Sequence, residues 1–128
     1  MNFERLVIVL AAGFFLLYGI AFSIAPVTMA LFVTGSAPDG VSALVDFRAT
    51  YGGMTFAVGL LLFYLLFIEQ LRAALVIIIM VLLSMALTRA AGLLVNGSGN
   101  AFMYLYLVLE VLGSALAGMA MRGQARTR

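Results

Sequence analysis

The sequence predicts an all-α membrane protein, a four-transmembrane-helix up-down bundle with both termini cytoplasmic. Three observations predict it. Of 128 residues, 66% are hydrophobic, against roughly 45–50% in a soluble domain. Charged residues make up 9%, against about 25% in soluble proteins, and mean hydropathy is +1.22. A small soluble domain leaves much of its surface in water and cannot hide so much apolar area. Finally, the apolar residues form four runs near the ~20 residues a helix needs to cross a hydrocarbon layer of about 30 Å. They lack the alternation of barrel strands. The chain reads as one domain over 1–128.

The first span covers about 6–25. Ser23-Ile24-Ala25 resembles a small-x-small cleavage site, but the stretch before it exceeds the core of a signal peptide. Pro26 behind it is expected to block cleavage, so the run stays a span. The connection over 26–43 is the long one. Its apolar part, 27–33, suits the membrane interface, and Thr34-Gly35-Ser36-Ala37-Pro38-Asp39-Gly40 reads as a loop. The second span covers about 44–68, and its Gly52-Gly53 pair is read as close packing rather than a helix break. Only a few residues around Glu69-Gln70-Leu71-Arg72 precede the third span, about 73–95. Spans two and three are therefore expected to form a tight antiparallel pair. Asn96-Gly97-Ser98-Gly99-Asn100 is a compact turn, and the fourth span covers about 101–121. The turn matches an N-glycosylation pattern but hugs two spans. The large aliphatics at 60–62 and 76–79 are expected to face lipid.

Four spans put both termini and the middle loop on one side. That side carries Arg5, Arg72, Arg122, Arg126 and Arg128, while the opposite loops carry no Arg outside the spans. The positive-inside rule places this side in the cytoplasm.

The inventory excludes much chemistry. The chain has no His, Cys or Lys. Zinc or copper sites built on imidazole or thiolate, iron–sulfur clusters, disulfides, Ser-His-Asp triads and Schiff-base lysines are all excluded. No cofactor or metal is expected, and no nucleic-acid role, since three C-terminal Arg beside a span report topology.

Against this apolar background, Asp46, Arg48, Arg89 and Glu110 lie within or at the edges of spans. A charge at the bilayer centre costs ~2.5–3.5 kcal/mol even on a lenient scale, and such residues usually face the bundle interior. Counted at 1.5 Å per residue, Arg89 lies roughly 9 Å and Glu110 roughly 14 Å below the outer helix ends. The four formal charges cancel, which suits a buried cluster. Arg89 has two candidate partners, Glu110 and Asp46. On span four, Glu110, Gly113, Ser114 and Ala117 share a face, extended by Gly118. On span three Met85, Arg89 and Gly92 do, with Ser84 and Thr88 beside them. On span two Arg48, Gly52, Thr55 and Gly59 line up, with Tyr51 adjacent. Span one offers Tyr18, Gly19 and Ser23. The helix-packing candidates are Gly52, Gly53, Gly59, Gly92, Gly113, Ser114 and Ala117. The Met and Phe residues read as apolar filler, and Tyr104 and Tyr106 as interface aromatics.

Asp46-Phe47-Arg48-Ala49-Thr50-Tyr51-Gly52-Gly53 resembles the D-x-R-A-x-Y-G-G signature of domain-of-unknown-function family 4345, small bacterial membrane proteins grouped with the DoxX-like four-helix proteins. Length, four spans, Pro26, Arg89 and Glu110 also fit. The resemblance implies a bacterial inner-membrane four-helix protein and directs attention to Asp46, Arg48, Tyr51 and Gly53. It implies no specific activity. More distant DoxX-like proteins are linked to redox and sulfur metabolism, a role that a chain without Cys or His is poorly equipped to fill directly.

The resulting expectation is a non-enzymatic, multi-pass protein of the bacterial inner membrane. Asp46, Arg48, Tyr51, Arg89 and Glu110 would bind a small amphipathic ligand, lipid or quinone-like, in the outer half of the bundle. Two alternatives stay open. One is a structural or assembly subunit, docking on a second copy or another membrane protein with the charges setting register. The other is a small proton-coupled carrier using Glu110. Catalysis would require Glu110, Asp46 or Tyr51 as proton donor and acceptor, and nothing marks a nucleophile.

Overall fold

The computed structural model describes residues 2–126, with side chains as far as Gly123. Arg128 and the side chain of Arg126, both used above for orientation, lie outside the described residues. Helix α1 spans Phe3–Ile24, α2 Pro26–Thr34 and α3 Val41–Phe47. A π-helical segment, Arg48–Met54, leads without a break into α4, Thr55–Phe67. Helices α5, Leu71–Asn96, and α6, Ala101–Arg126, complete the chain. Four stretches are long and apolar enough to cross a membrane: Phe3–Ile24, Val41–Phe67, Leu71–Asn96 and Ala101–Gly123. The protein is thus an all-helical bundle, and no strand occurs among the described residues.

The pairing of spans differs from the expectation. α4 and α5 are joined by the short connection, yet α4 packs most extensively on α1, and α5 on α6. α1 packs against all three other spans, whereas α4 and α6 share no extensive contact. Glycine explains the first pair. A Cβ at Gly19 would stand 2.5 Å from the Phe56 backbone nitrogen, and one at Gly59 2.7 Å from that of Leu16. With hydrogen at these positions the two backbones approach more closely than side chains would permit. A short loop requires only that helix ends meet, so it does not decide which faces pack.

The apolar core lies toward the end of the bundle that carries both termini. Ile8, Phe15, Leu62, Leu75, Ile78 and Ala120 are buried there. Leu62 and Ile78 were expected to face lipid, but they lie on the inward stripes of α4 and α5. Their neighbours Leu60, Leu61 and Val76 do face outward. At this end α4 closes in a Schellman arrangement, with Gln70 N–H donating to the Leu65 carbonyl at 2.9 Å and Glu69 N–H to Leu66 at 3.3 Å. Glu69 takes the left-handed position usually held by glycine, φ 59°. Its carboxylate pairs with Arg5 of α1, tying the first span to the middle turn.

At the opposite end the stretch after Pro26 folds as helix α2, with Pro26 in its first turn, where a missing N–H costs nothing. Gly35, φ 80°, ends it in the left-handed conformation. Asn100 ties this helix down. Its amide donates to the Val33 carbonyl at 3.0 Å, while its Oδ1 accepts the Met103 N–H at 3.2 Å and caps α6. Asn100→Ala is expected to cost about 1 kcal/mol for the lost cap and to free α2. A lowered unfolding midpoint with faster hydrogen exchange confined to α2 and the first turn of α6 is the outcome to look for.

Candidate functional site

Arg89 and Glu110 face each other across the α5–α6 hairpin because both lie roughly two to three turns from its bend. Arg89 Nε donates to both Glu110 oxygens at 3.1 Å, and Nη2 donates to Oε1 at 2.7 Å. The contact has the forked geometry of guanidinium–carboxylate recognition. Thus Glu110, not Asp46, is the partner of Arg89. The two sides differ in cover: the Arg89 side chain is 19% exposed and that of Glu110 6%. Nη1 points away from the carboxylate, and its partner is the Met103 sulfur at 3.3 Å. The guanidinium carbon also lies 5.3 Å from the ring centre of Tyr106, within the range of a cation–π contact.

The expected four-charge cluster is divided. Asp46 and Arg48 lie outward and exposed where α3 meets the π-helical segment. Arg48 Nη1 donates to the Ser23 carbonyl at 2.6 Å. Ser23 lies in the last turn of α1, whose final carbonyls have no partner within the helix, so Arg48 serves there as a C-terminal cap. Asp46 makes no hydrogen bond or ion pair among the described residues. The division follows from the packing, since span two lays this end on α1 rather than on α6. Charge balance is achieved within the Arg89–Glu110 pair alone.

Aromatic rings connect the two places. Phe47 lies 4.8 Å from Tyr51, centre to centre, and Tyr51 stacks on Phe22 at 5.3 Å. Phe22 lies 4.8 Å from Tyr18, and Tyr18 meets Tyr106 edge-on at 6.3 Å. The ladder runs from the exposed Arg48–Tyr51 region to the half-buried guanidinium. Tyr51, the second ring from its outer end, is itself exposed.

The sequence signature occupies the end of α3 and most of the π-helical segment, Arg48–Met54. Gly52-Gly53 weakens local α-helix preference, and a widened turn here lets Gly52 lie flat on Ser23, leaving no room for a Cβ. Such π turns are rare and often mark functional sites. Gly52-Gly53 therefore combines both readings, close packing at Gly52 and a departure from the α-helix.

Of the helix-packing candidates, Gly52, Gly59, Gly113, Ser114 and Ala117 meet a neighbour or are buried. Gly53 and Gly92 do not: a Cβ at either would meet nothing of another span within 4 Å. Gly53 turns outward in the π segment, and a Cβ at Gly92 would face the end of its own helix, 3.9 Å from the Asn96 side-chain amide nitrogen. Met85, Ser84 and Thr88 also face outward. The Ser84 hydroxyl donates to the Met80 carbonyl at 2.7 Å and that of Thr88 to Ser84 at 2.8 Å. Hydroxyls satisfied within their own helix have no need of the bundle interior.

The sequence offers Tyr18 only as a polar residue of span one and Tyr106 only as an interface aromatic, and Phe22 and Met103 only as apolar filler. One signal was available: Phe102, Tyr106, Glu110 and Ser114 recur at every fourth position of α6 and so share its inward face.

Fold and site together define a multi-pass helical membrane protein with one buried ion pair among the described residues and a row of packed aromatic rings reaching it. The chain matches the family described as Domain of unknown function (DUF4345) over residues 3–121 and belongs to it. No curated protein and no solved structure matches the chain.

Proposed function

We propose that this protein is a non-enzymatic binding protein of the bacterial inner membrane. It takes a small amphipathic ligand in the outer half of the bundle, between the exposed Arg48–Tyr51 mouth and the Arg89–Glu110 pair. The observation that carries this reading is the aromatic ladder that ends on a guanidinium whose Nη1 is engaged only by the Met103 sulfur. Tyr51 at the mouth and the partly open Tyr18 and Tyr106, packed around the buried Phe22, offer aromatic surface to an apolar ring or chain, and the guanidinium offers N–H groups beside them. Arg48, held on Ser23, keeps its remaining donors outward, where a headgroup would lie. The arginines at the termini and middle turn favour a cytoplasmic placement of that end, so the mouth opens to the opposite face.

The test is native mass spectrometry of protein extracted in mild detergent. Wild type is expected to carry a discrete bound mass. The double variant Arg89→Met/Glu110→Met, which removes both charges together, is expected to fold and to lose that mass. A wild-type protein free of bound mass, or an equal load in both forms, would defeat the proposal.

A further inference from the structure

We infer that the group held at the inner end of this site is an uncharged oxygen acceptor, a carbonyl, received by Arg89 Nη1 in place of the Met103 sulfur. The inference rests on the reading of the site as a ligand site and names the ligand's chemistry.

Three observations lead to it. The first is the donor inventory. A guanidinium carries five N–H groups. Nε and Nη2 are committed to Glu110, while Nη1 has only a thioether, a weak acceptor, at 3.3 Å. A better acceptor would displace the sulfur, and Met, unbranched and flexible, yields readily. The second is charge. Arg89 is already neutralised by Glu110, so an anion bound at Nη1 would leave a net negative charge beside a carboxylate in a low-dielectric interior. The third is access. The Glu110 side chain is covered while that of Arg89 remains partly open, so a ligand approaches the pair from the Arg89 side. A cationic ligand would meet the guanidinium's own positive charge there. An uncharged acceptor remains. The neighbouring Tyr106 and Tyr18 rings favour a carbonyl on a flat conjugated ring, as in a quinone. An acyl ester would supply the same atom from a lipid.

The chain has five Tyr and no Trp, so its ultraviolet emission is tyrosine emission, and Tyr18, Tyr51 and Tyr106 line the path. Titration of the detergent-solubilised protein with a decyl-substituted benzoquinone is expected to quench this emission saturably. Met103→Leu, which removes the competing sulfur, is expected to tighten binding. Met103→Gln places a strong amide acceptor against Nη1 and is expected to weaken binding about tenfold, the size of one hydrogen bond to a charged group. Displacement of the quinone by monoolein, an uncharged acyl ester, would keep the carbonyl and assign its source to lipid. Displacement by dioleoylphosphatidylglycerol but not by monoolein would overturn the uncharged acceptor. Equal affinities in wild type and Met103→Gln would overturn the role of Nη1. If native mass spectrometry finds a bound species while no probe binds, the carbonyl inference fails and the ligand site stands. If no species is found either, both fail.

Discussion

Arg89→Met alone is expected to lower the stability of the bundle by about 3 kcal/mol or more, and Glu110→Met to do the same, whereas the double variant is expected to match wild type or exceed it. Each single change strands one charge where its partner was the only neutralising group. A lone charge at depth costs about 2.5–3.5 kcal/mol on an insertion scale. The double change exchanges an ion pair for two flexible apolar side chains and avoids the cost of desolvating charge altogether. The two singles should differ in degree. Glu110 is the more deeply covered member, and its side chain is short, so a stranded carboxylate stays in place. A stranded Arg89 has a long apolar stem and can lift its head toward the interface. Unfolding midpoints of the four proteins in one detergent provide the measurement. Additive single effects, with the double variant least stable of all, would show that the two residues do not act as a pair.

The same cycle bears on why a membrane bundle carries the pair. A pair kept for register would leave the double variant folded differently or in several states. A pair kept for a ligand would leave it well folded and empty. Every buried side-chain nitrogen and oxygen among the described residues has a partner, so the unliganded chain is already satisfied, and only the weak Met103 contact marks where a better acceptor fits.

How far the sequence revealed this arrangement depended on which physical signal each feature left. The four spans were plain because hydropathy is summed over some twenty residues and tolerates local exceptions. Arg89 and Glu110 were plain because charge in lipid is rare. Helix pairing was not legible. It turned on Gly19 and Gly59, and a glycine in a list of small residues does not say which helix it meets. The division of the charge cluster was hidden for the same reason, since Arg48 could be assigned to a site or to an α1 cap only once α1 was known to lie beside it. The aromatic ladder escaped notice because Phe and Tyr are abundant in any span. Only the fourfold spacing of Phe102, Tyr106, Glu110 and Ser114 linked rings to charge. The π-helical turn was half legible, because Gly52-Gly53 signals weak helix preference but not the direction in which the turn relaxes.

Gly19→Ala and Gly59→Ala test the packing that holds the ladder together. At Gly19 the added Cβ would lie 2.5 Å from Phe56 N and 2.7 Å from its Cα. At Gly59 it would lie 2.7 Å from Leu16 N and 3.0 Å from the Ala12 carbonyl oxygen. These are backbone atoms in the middle of helices and have no rotamer into which to retreat, so α1 and α4 must move apart. Overpacking of this kind costs about 1–3 kcal/mol. Gly13 and Gly118 provide the controls, since a Cβ at either meets nothing within 4 Å. There Ala should only improve helix propensity, a gain of up to about 1 kcal/mol. The expected order of midpoints is therefore Gly13→Ala and Gly118→Ala at or above wild type, with Gly19→Ala and Gly59→Ala well below. Because Tyr18 and Phe22 ride on α1 and Tyr51 on span two, Gly19→Ala should also weaken any quinone quenching under conditions where the variant remains folded. A Gly19→Ala protein as stable as Gly13→Ala would mean that α1 and α4 do not pack backbone to backbone, and the ladder that depends on their closeness would have to be abandoned with them.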